Sequence, residues 1–301
     1  MCTISLHRLT GVLAVTVLLG VGPLASASTP KFQPLHAPAT GEQHPGKFIW
    51  ADLFTTDPVA ATKFYSGLFG WTANIIDQKG KAYTVFSNGS HPVAGLAPRN
   101  TANKQRPSRW IGYIAVTDIK AALLPVAPAG GQVRAPARNF PDRGIQAIIT
   151  DHEGSPIGLM QSASGDSLDT DADPGDWNWF ELYARDPKAA TVFYTSVFNY
   201  AAPADDRTER KNDYLLTIGG FARAGIAPLP DRADAQPGWL GVVRVANLDE
   251  ALTRVTTLGG EILVPPRATA YESRFAIISD PTGGTIGLVE YEDKTNHVIR
   301  P

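Results

Sequence analysis

A chain of 301 residues with 43% hydrophobic side chains has room for about two ordinary domains and is too apolar for general disorder. Its 27 Lys and Arg against 29 Asp and Glu leave a net charge of −2 without a basic block, which excludes an electrostatic nucleic-acid binder. The single cysteine, Cys2, excludes an internal disulfide and a cysteine metal cluster.

The N-terminus reads as a targeting segment. His7 and Arg8 precede an apolar run over 9–21, shorter than the roughly 20 residues that span a bilayer. Ala25-Ser26-Ala27 then offers the small residues that a signal peptidase accepts. The expectation is a signal peptide over 1–27 and a mature chain, starting at Ser28, that is periplasmic or secreted and no longer touches the membrane. Residues 28–46, rich in proline and polar side chains, are expected to form an extended leader.

After the leader the chain repeats itself at an offset of 129. Trp50 meets Trp179, Asp57-Pro58 meets Asp186-Pro187, Phe64-Tyr65 meets Phe193-Tyr194, Trp110 meets Trp239, and Ile157-Gly158-Leu159 meets Ile286-Gly287-Leu288. A repeat of this length is a duplicated domain and not a solenoid unit. The first domain is placed at 47–162, a linker at 163–175, the second domain at 176–292 and a tail at 293–301. With its own caps, helices and strands, each copy is expected to hold its own core.

In chain order, 48–54 alternates as a strand, with Trp50, Asp52 and Phe54 on one face. Asp57 and Pro58 open a helix on which Ala61, Phe64, Tyr65 and Leu68 recur at helical spacing, and Gly70 closes it. Strands follow at 83–86 and 93–97. The pattern restarts with a strand over 110–116, a short helix capped by Asp118, and strands at 145–150 and 157–161. The second copy repeats this, with Asn247-x-x-Glu250 as a capping box. The fold class is α+β: two tandem domains, each a pair of βαβββ modules forming a cup-shaped mixed sheet with helices on the outer face. The linker's Asp169-x-Asp171-x-Asp173 does not make a calcium loop, because Pro174 stands where that loop needs glycine and Phe180 where it needs glutamate.

The run Phe64–Trp71 ("FYSGLFGW"), Tyr83–Pro98 ("YTVFSNGSHPVAGLAP"), Val264–Arg267 ("VPPR") and Asp280–Leu288 ("DPTGGTIGL") resemble the vicinal oxygen chelate superfamily, which includes glyoxalase I, bleomycin-resistance proteins and extradiol dioxygenases. The resemblance spans nearly all of 48–290. It implies the fold but not the reaction, since the fold hosts lyases, isomerases, oxygenases and drug-binding proteins. Metal-binding members carry His, Gln or Glu at four inward strand positions. On this chain those positions are Trp50, Gly95, Gly112 and Gly158 in the first copy, and Trp179, Gly225, Gly241 and Gly287 in the second. None can ligate a divalent metal, so no metal and no cofactor are expected. The histidines (His7, His36, His44, His91, His152 and His297) fall in the signal, leader, loops and tail, and are read as solvated.

What remains in each cup is a carboxylate two residues beyond a tryptophan, Asp52 or Glu181. Two roles stay open for these acids: a hydrogen-bonded structural group, or a catalytic acid or base whose pKa is raised by burial. Trp50, Phe54, Trp110, Trp179, Tyr183 and Trp239 are the candidate ligand-binding aromatics, with core packing as the other reading. The expected partner is a small hydrophobic or aromatic molecule. A metal-dependent lyase, isomerase or dioxygenase and a non-catalytic interaction module stand as alternatives.

Overall fold

The computed structural model describes residues 32–77, 82–99, 107–205, 212–231, 235–270 and 272–292. The expected signal peptide (1–27) and tail (293–301) lie outside them. The first module is β1 (Phe48–Thr55), α1 (Pro58–Phe69), β2 (Thr72–Asp77), β3 (Ala82–Asn88) and β4 (His91–Pro98). The second is β5 (Arg109–Ala115), α2 (Ile119–Leu123), β6 (Gln132–Phe140), β7 (Gly144–Thr150) and β8 (Pro156–Ser162). The third is β9 (Trp177–Ala184), α3 (Pro187–Phe198), β10 (Tyr214–Ile218) and β11 (Phe221–Pro228). Its strand after the helix is reduced to isolated bridges, Ala201 to Thr217 and Ala204 to Tyr214. The fourth is β12 (Gly238–Arg244), α4 (Leu248–Thr257), β13 (Glu261–Ala268), β14 (Arg274–Ser279) and β15 (Thr285–Glu290).

The helices begin where the sequence places their caps. Asp57 accepts from the Ala60 N–H at 3.0 Å, and Asp186 from that of Ala189 at 3.0 Å. Such a cap contributes about 1 kcal/mol. Gly70 ends α1 with φ 74°, and Asn199 takes the same left-handed place after α3 with φ 60°. Asparagine tolerates that conformation better than most side chains do.

Each copy forms one mixed sheet, in the order β2-β3-β4-β1-β5-β8-β7-β6 and β10-β11-β9-β12-β15-β14-β13. In each, the modules' opening strands pair antiparallel at the centre, and each opening strand runs parallel to its own module's last strand. Along β1, Ala51 and Leu53 face the helices, and Trp50 and Asp52 face the concave side.

The helix faces are where the expectation of one core per copy fails. Leu53, Phe64, Tyr65 and Phe86 of the first module share a core with Val243, Leu248, Val255 and Leu288 of the fourth. Ile114, Ile149 and Leu159 of the second share theirs with Leu182, Phe193, Tyr194 and Ile226 of the third. The hydrogen-bonded sheets stay within a copy, but the apolar interior is built between copies. A buried ring such as Phe64 or Phe193 contributes roughly 2 to 3 kcal/mol by leaving water, and in both cases much of its cover comes from the other copy.

The two sheets also touch directly. Phe48 stacks on Phe180 with ring centroids 4.0 Å apart. Gly112 and Gly241 make this approach possible: a Cβ on Gly112 would lie 2.7 Å from the Phe180 ring, and one on Gly241 2.6 Å from Trp177. Both glycines therefore face the seam between copies and not a cup. The concave positions beside them are Ile111 and Tyr113, opposite Asp52 and Trp50, and in the second sheet Leu240 and Val242.

Candidate functional site

The same one-residue correction moves two aromatic candidates. Trp110 and Trp239 lie on the helix side, where Trp110 Nε1 donates to the Tyr65 hydroxyl and Trp239 Nε1 to that of Tyr194, each at 2.8 Å. They brace the interior and do not line a cup. Trp50, Asp52 and Phe54 lie on the concave face of the first sheet, and Trp179, Glu181 and Tyr183 on that of the second.

In the first cup the carboxylate is enclosed. Asp52 is 5% exposed, and its Oδ1 accepts from Trp50 Nε1 at 2.8 Å and from the Tyr83 hydroxyl at 2.6 Å. The Tyr113 side chain lies in the same cup, where the Asp52 charge acts on its hydroxyl. Burial, and then the Asp52 charge, push both phenols well above the ordinary tyrosine range, so both keep their protons. Gly95 and Gly158 make the space. A Cβ on Gly95 would fall 1.8 Å from the Tyr83 oxygen, and one on Gly158 2.2 Å from the Tyr113 ring. The two strand positions that the resemblance aligns with metal ligands are thus filled here by tyrosines reaching across from β3 and β5.

The second cup is built differently. Trp179 Nε1 donates to Glu181 Oε2 at 2.8 Å, repeating the first pair. The counterparts of Tyr83 and Tyr113 are Asp213 and Val242, and Phe275 lies against Gly287. Trp179, Glu181 and Tyr183 are only half-buried, so this wall remains reachable from solvent.

The donor sets do not fit a catalytic metal. Such a site needs about three N, O or S ligands. Among the described residues no group of three or more His, Cys, Asp or Glu could hold an ion. Oδ1 of Asp52 is committed to two donors, and an indole N–H has no lone pair to offer.

The described residues of the leader, 32–46, contain no helix or strand, yet they are not a free spacer. Leu35, 2% exposed, packs on Trp50, Val85, Tyr113 and Met160. The Phe32 ring meets Tyr83 edge-on at 4.7 Å. Farther along, the leader zips to the linker: Thr40 N–H donates to Ser164 O at 2.9 Å, and His44 N–H to Asp166 at 2.7 Å. Asp169 closes the zip, accepting from Arg223 at 2.5 and 3.0 Å and pairing with Lys47 at 3.0 Å and His44 at 3.3 Å. Burial pushes the Asp169 carboxyl up, but Arg223 and Lys47 outweigh it and hold the group at about 2. His44, expected in solvent, is half-buried between Asp169 and Glu42.

Sequence reasoning missed Tyr83, Tyr113, Arg143 and Leu35 as cup residues. Tyr83 and Tyr113 had a signal, since each stands two residues along its strand from another concave position. Arg143 sits in a turn and Leu35 in the Pro-rich leader, where no periodicity marks a face.

The Glyoxalase/Bleomycin resistance protein/Dioxygenase superfamily matches the chain twice, over residues 47–159 and 177–288. CFP32 of Mycobacterium bovis, which bears the name of a glyoxylase, is 31% identical over 256 residues, 84% of this chain and 98% of its own. The anthracycline biosynthesis protein DnrV of Streptomyces peucetius is 30% identical over 262 residues, 83% of this chain and 94% of its own. Among solved structures, the Mn(II)-bound glyoxalase from Novosphingobium aromaticivorans superposes with a TM-score of 0.58 at 16% identity, covering 82% of each chain. The 2,3-dioxygenase LapB from Pseudomonas sp. KL28 gives a TM-score of 0.58 at 11% identity, covering 86% of this chain and 96% of its own. These two likenesses speak for the fold. The chain belongs to the glyoxalase/bleomycin resistance protein/dioxygenase superfamily, of which it carries two tandem domains.

Proposed function

We propose that this chain is an exported, metal-independent member of its superfamily that binds a small hydrophobic or aromatic molecule in the second cup. The observation that carries the reading is the contrast between the cups. Asp52 is sealed under Trp50, Tyr83 and Tyr113, whereas Trp179, Glu181 and Tyr183 form a half-exposed aromatic wall with one carboxylate. An aromatic wall that carries a carboxylate suits a planar ligand held by stacking and oriented by a hydrogen bond. DnrV's name ties that relative to anthracyclines, fused-ring aromatics of this shape. Acid–base chemistry, where it occurs, falls to Glu181, and Asp52 ties β1 to β3. Export rests on the segment before Ser28.

Tryptophan fluorescence titration of the mature protein with 1,8-dihydroxyanthraquinone tests the binding reading. Binding is expected to survive dialysis against EDTA and to weaken about tenfold in Trp179→Ala, the loss of one stacking partner and its buried area. Elemental analysis showing about one transition metal per domain, with binding lost on its removal, would overturn metal independence and bring forward the metal-dependent lyase, isomerase or dioxygenase. The absence of any binding would favour an interaction module. Mass analysis of the exported chain tests the processing: Ser28 is expected first, and Met1 retained on membrane-bound protein would refute it.

A further inference from the structure

Arg143 carries a charge that the fold matches incompletely. The residue is 1% exposed, with its guanidinium carbon 4.2 Å from the Trp50 ring and 5.5 Å from the Phe32 ring. Nε donates to the main-chain carbonyl of Gln33 at 2.9 Å. Nη2 is buried without a hydrogen-bond partner. Among the described residues no carboxylate forms an ion pair with it. Asp52 stands in the same cup, but its Oδ1 is engaged by Trp50 and Tyr83. A buried guanidinium with an unmatched N–H is costly, and stacking on an indole offsets that only in part.

The shape of the unmet demand is specific. Nε–H and one Nη2–H project from the same edge of a guanidinium, the edge that a carboxylate spans with two parallel hydrogen bonds. Here one of those donors meets a neutral carbonyl and the other meets nothing. The leader thus presents an aromatic ring, Phe32, and an adjoining acceptor, Gln33 O, at the cationic centre of the first cup. An open groove of about 840 Å³, lined by Phe32, Gln33, Pro34, Ile76 and Asp142 among others, runs along the leader. Residues 32–35 are therefore seated at an edge of the core and belong to neither hydrogen-bonded sheet.

We propose that the first cup is a second ligand site, selective for an aromatic monocarboxylate, and that residues 32–35 are a built-in competitor for it. The ligand's carboxylate bridges Nε and Nη2 of Arg143. Its ring takes the place of Phe32 against Tyr83 and Phe140, which that side chain now meets edge-on at 4.7 and 5.2 Å. The charge of Asp52 in the same cup disfavours a dianion. This site lies on the other sheet from the second cup and does not depend on the reading given for that cup.

The test is calorimetric titration of the mature chain with 2-naphthoate and with its neutral counterpart 2-acetylnaphthalene. Phe32→Ala, which removes the competing ring and keeps the leader, is expected to bind 2-naphthoate about tenfold more tightly than wild type. Within that variant the acid should be preferred over the ketone by about tenfold, the difference between a two-bond charged contact and a one-bond neutral one. Adding Arg143→Gln should erase the preference, weakening the acid's binding more than the ketone's. Where that double variant does not fold, competition in Phe32→Ala by a synthetic peptide of residues 28–36 supplies the same information, with displacement of 2-naphthoate expected. Any binding at the second cup is common to all variants and cancels. Equal affinities of wild type and Phe32→Ala, equal affinities for acid and ketone, failure of the peptide to compete, or no binding of either probe would each overturn the proposal.

Discussion

The hydroxyl of Tyr65 on α1 donates to Oδ2 of Asp280 at 2.8 Å, although the two residues stand 215 positions apart. Asp280 uses its other oxygen to order the turn before β15, accepting from the N–H groups of Thr282 and Gly284 at 2.6 and 3.0 Å. Trp110 Nε1 donates to the same hydroxyl, so one phenol ties β5, α1 and the fourth module together. The second copy repeats the chain through Trp239, Tyr194 and Asp151, with the Tyr194–Asp151 bond at 3.1 Å.

Removing either hydroxyl leaves a buried carboxylate oxygen and an indole N–H unmet. Tyr65→Phe and Tyr194→Phe should each lower stability by about 2 kcal/mol in urea titrations, the range for a buried hydrogen bond to a charged group. The two sites lie in different cores, so the double variant should show the sum. Wild-type stability for both single variants would mean that these bridges do not form.

The buried phenols also predict an alkaline limit. Burial, then the charges of their acid partners, push Tyr65, Tyr83, Tyr113 and Tyr194 well above the usual value, and burial pushes Tyr200 up as well. The folded state keeps protons that the unfolded chain releases near pH 10. Their stabilising effect is therefore whole below about pH 10 and is lost as pH rises beyond it. Phenolate absorbance from these five should appear in step with the loss of circular dichroism. Full ionisation with the fold intact would contradict their placement.

Because the cores are shared between copies, fragments 47–162 and 176–292 should not fold separately. Each would expose the apolar helix faces that the other covers. Size-exclusion chromatography and circular dichroism should show aggregated or loosely structured halves, and co-expression should restore one compact complex. Two stable, monomeric halves would disprove the shared interior.

The seam between the sheets has little room. Gly112→Ala would place a methyl 2.7 Å from Phe180 and 2.8 Å from Phe48, and overpacking of this kind costs roughly 1 to 3 kcal/mol. Gly238→Ala, with no atom within 4 Å of the added carbon, is the control and should change stability little. Equal melting temperatures for the two variants would show that the sheets do not meet there.

Asp169 joins leader, linker and second sheet, and its pKa of about 2 gives its contribution a pH window. A depressed folded pKa means the contribution is present above the unfolded aspartate value near 4 and disappears as pH falls through about 2. The gap in melting temperature between wild type and Asp169→Asn should be constant from neutral pH to about pH 5 and close below about pH 4. A gap that does not change with pH would place the carboxylate outside the cluster of Arg223, Lys47 and His44.

Much of the architecture was legible in the chain itself. The constant offset between Trp50 and Trp179, or Ile157 and Ile286, revealed the duplication. Asp57, Pro58 and Gly70 bounded α1, and period-two alternation placed Trp50 with Asp52 on one face. These are local properties, set by backbone sterics, capping and pleat, and they hold whatever the strand later pairs with. Three other features depended on tertiary contacts. Gly112 and Trp110 face the seam because Asp52 pairs with Ile111 and Trp50 with Tyr113. The repeat could not reveal this, since both copies share the same register and both faces of β5 are buried, leaving no polar alternation to mark one side. The partner of each helix face was equally silent, because an amphipathic stripe states that it must be covered and not by which module. The closure of the first cup arose from Leu35, Tyr83, Tyr113 and Arg143, four residues from four separate segments, and only packing across those distances brings their side chains onto one carboxylate and one indole.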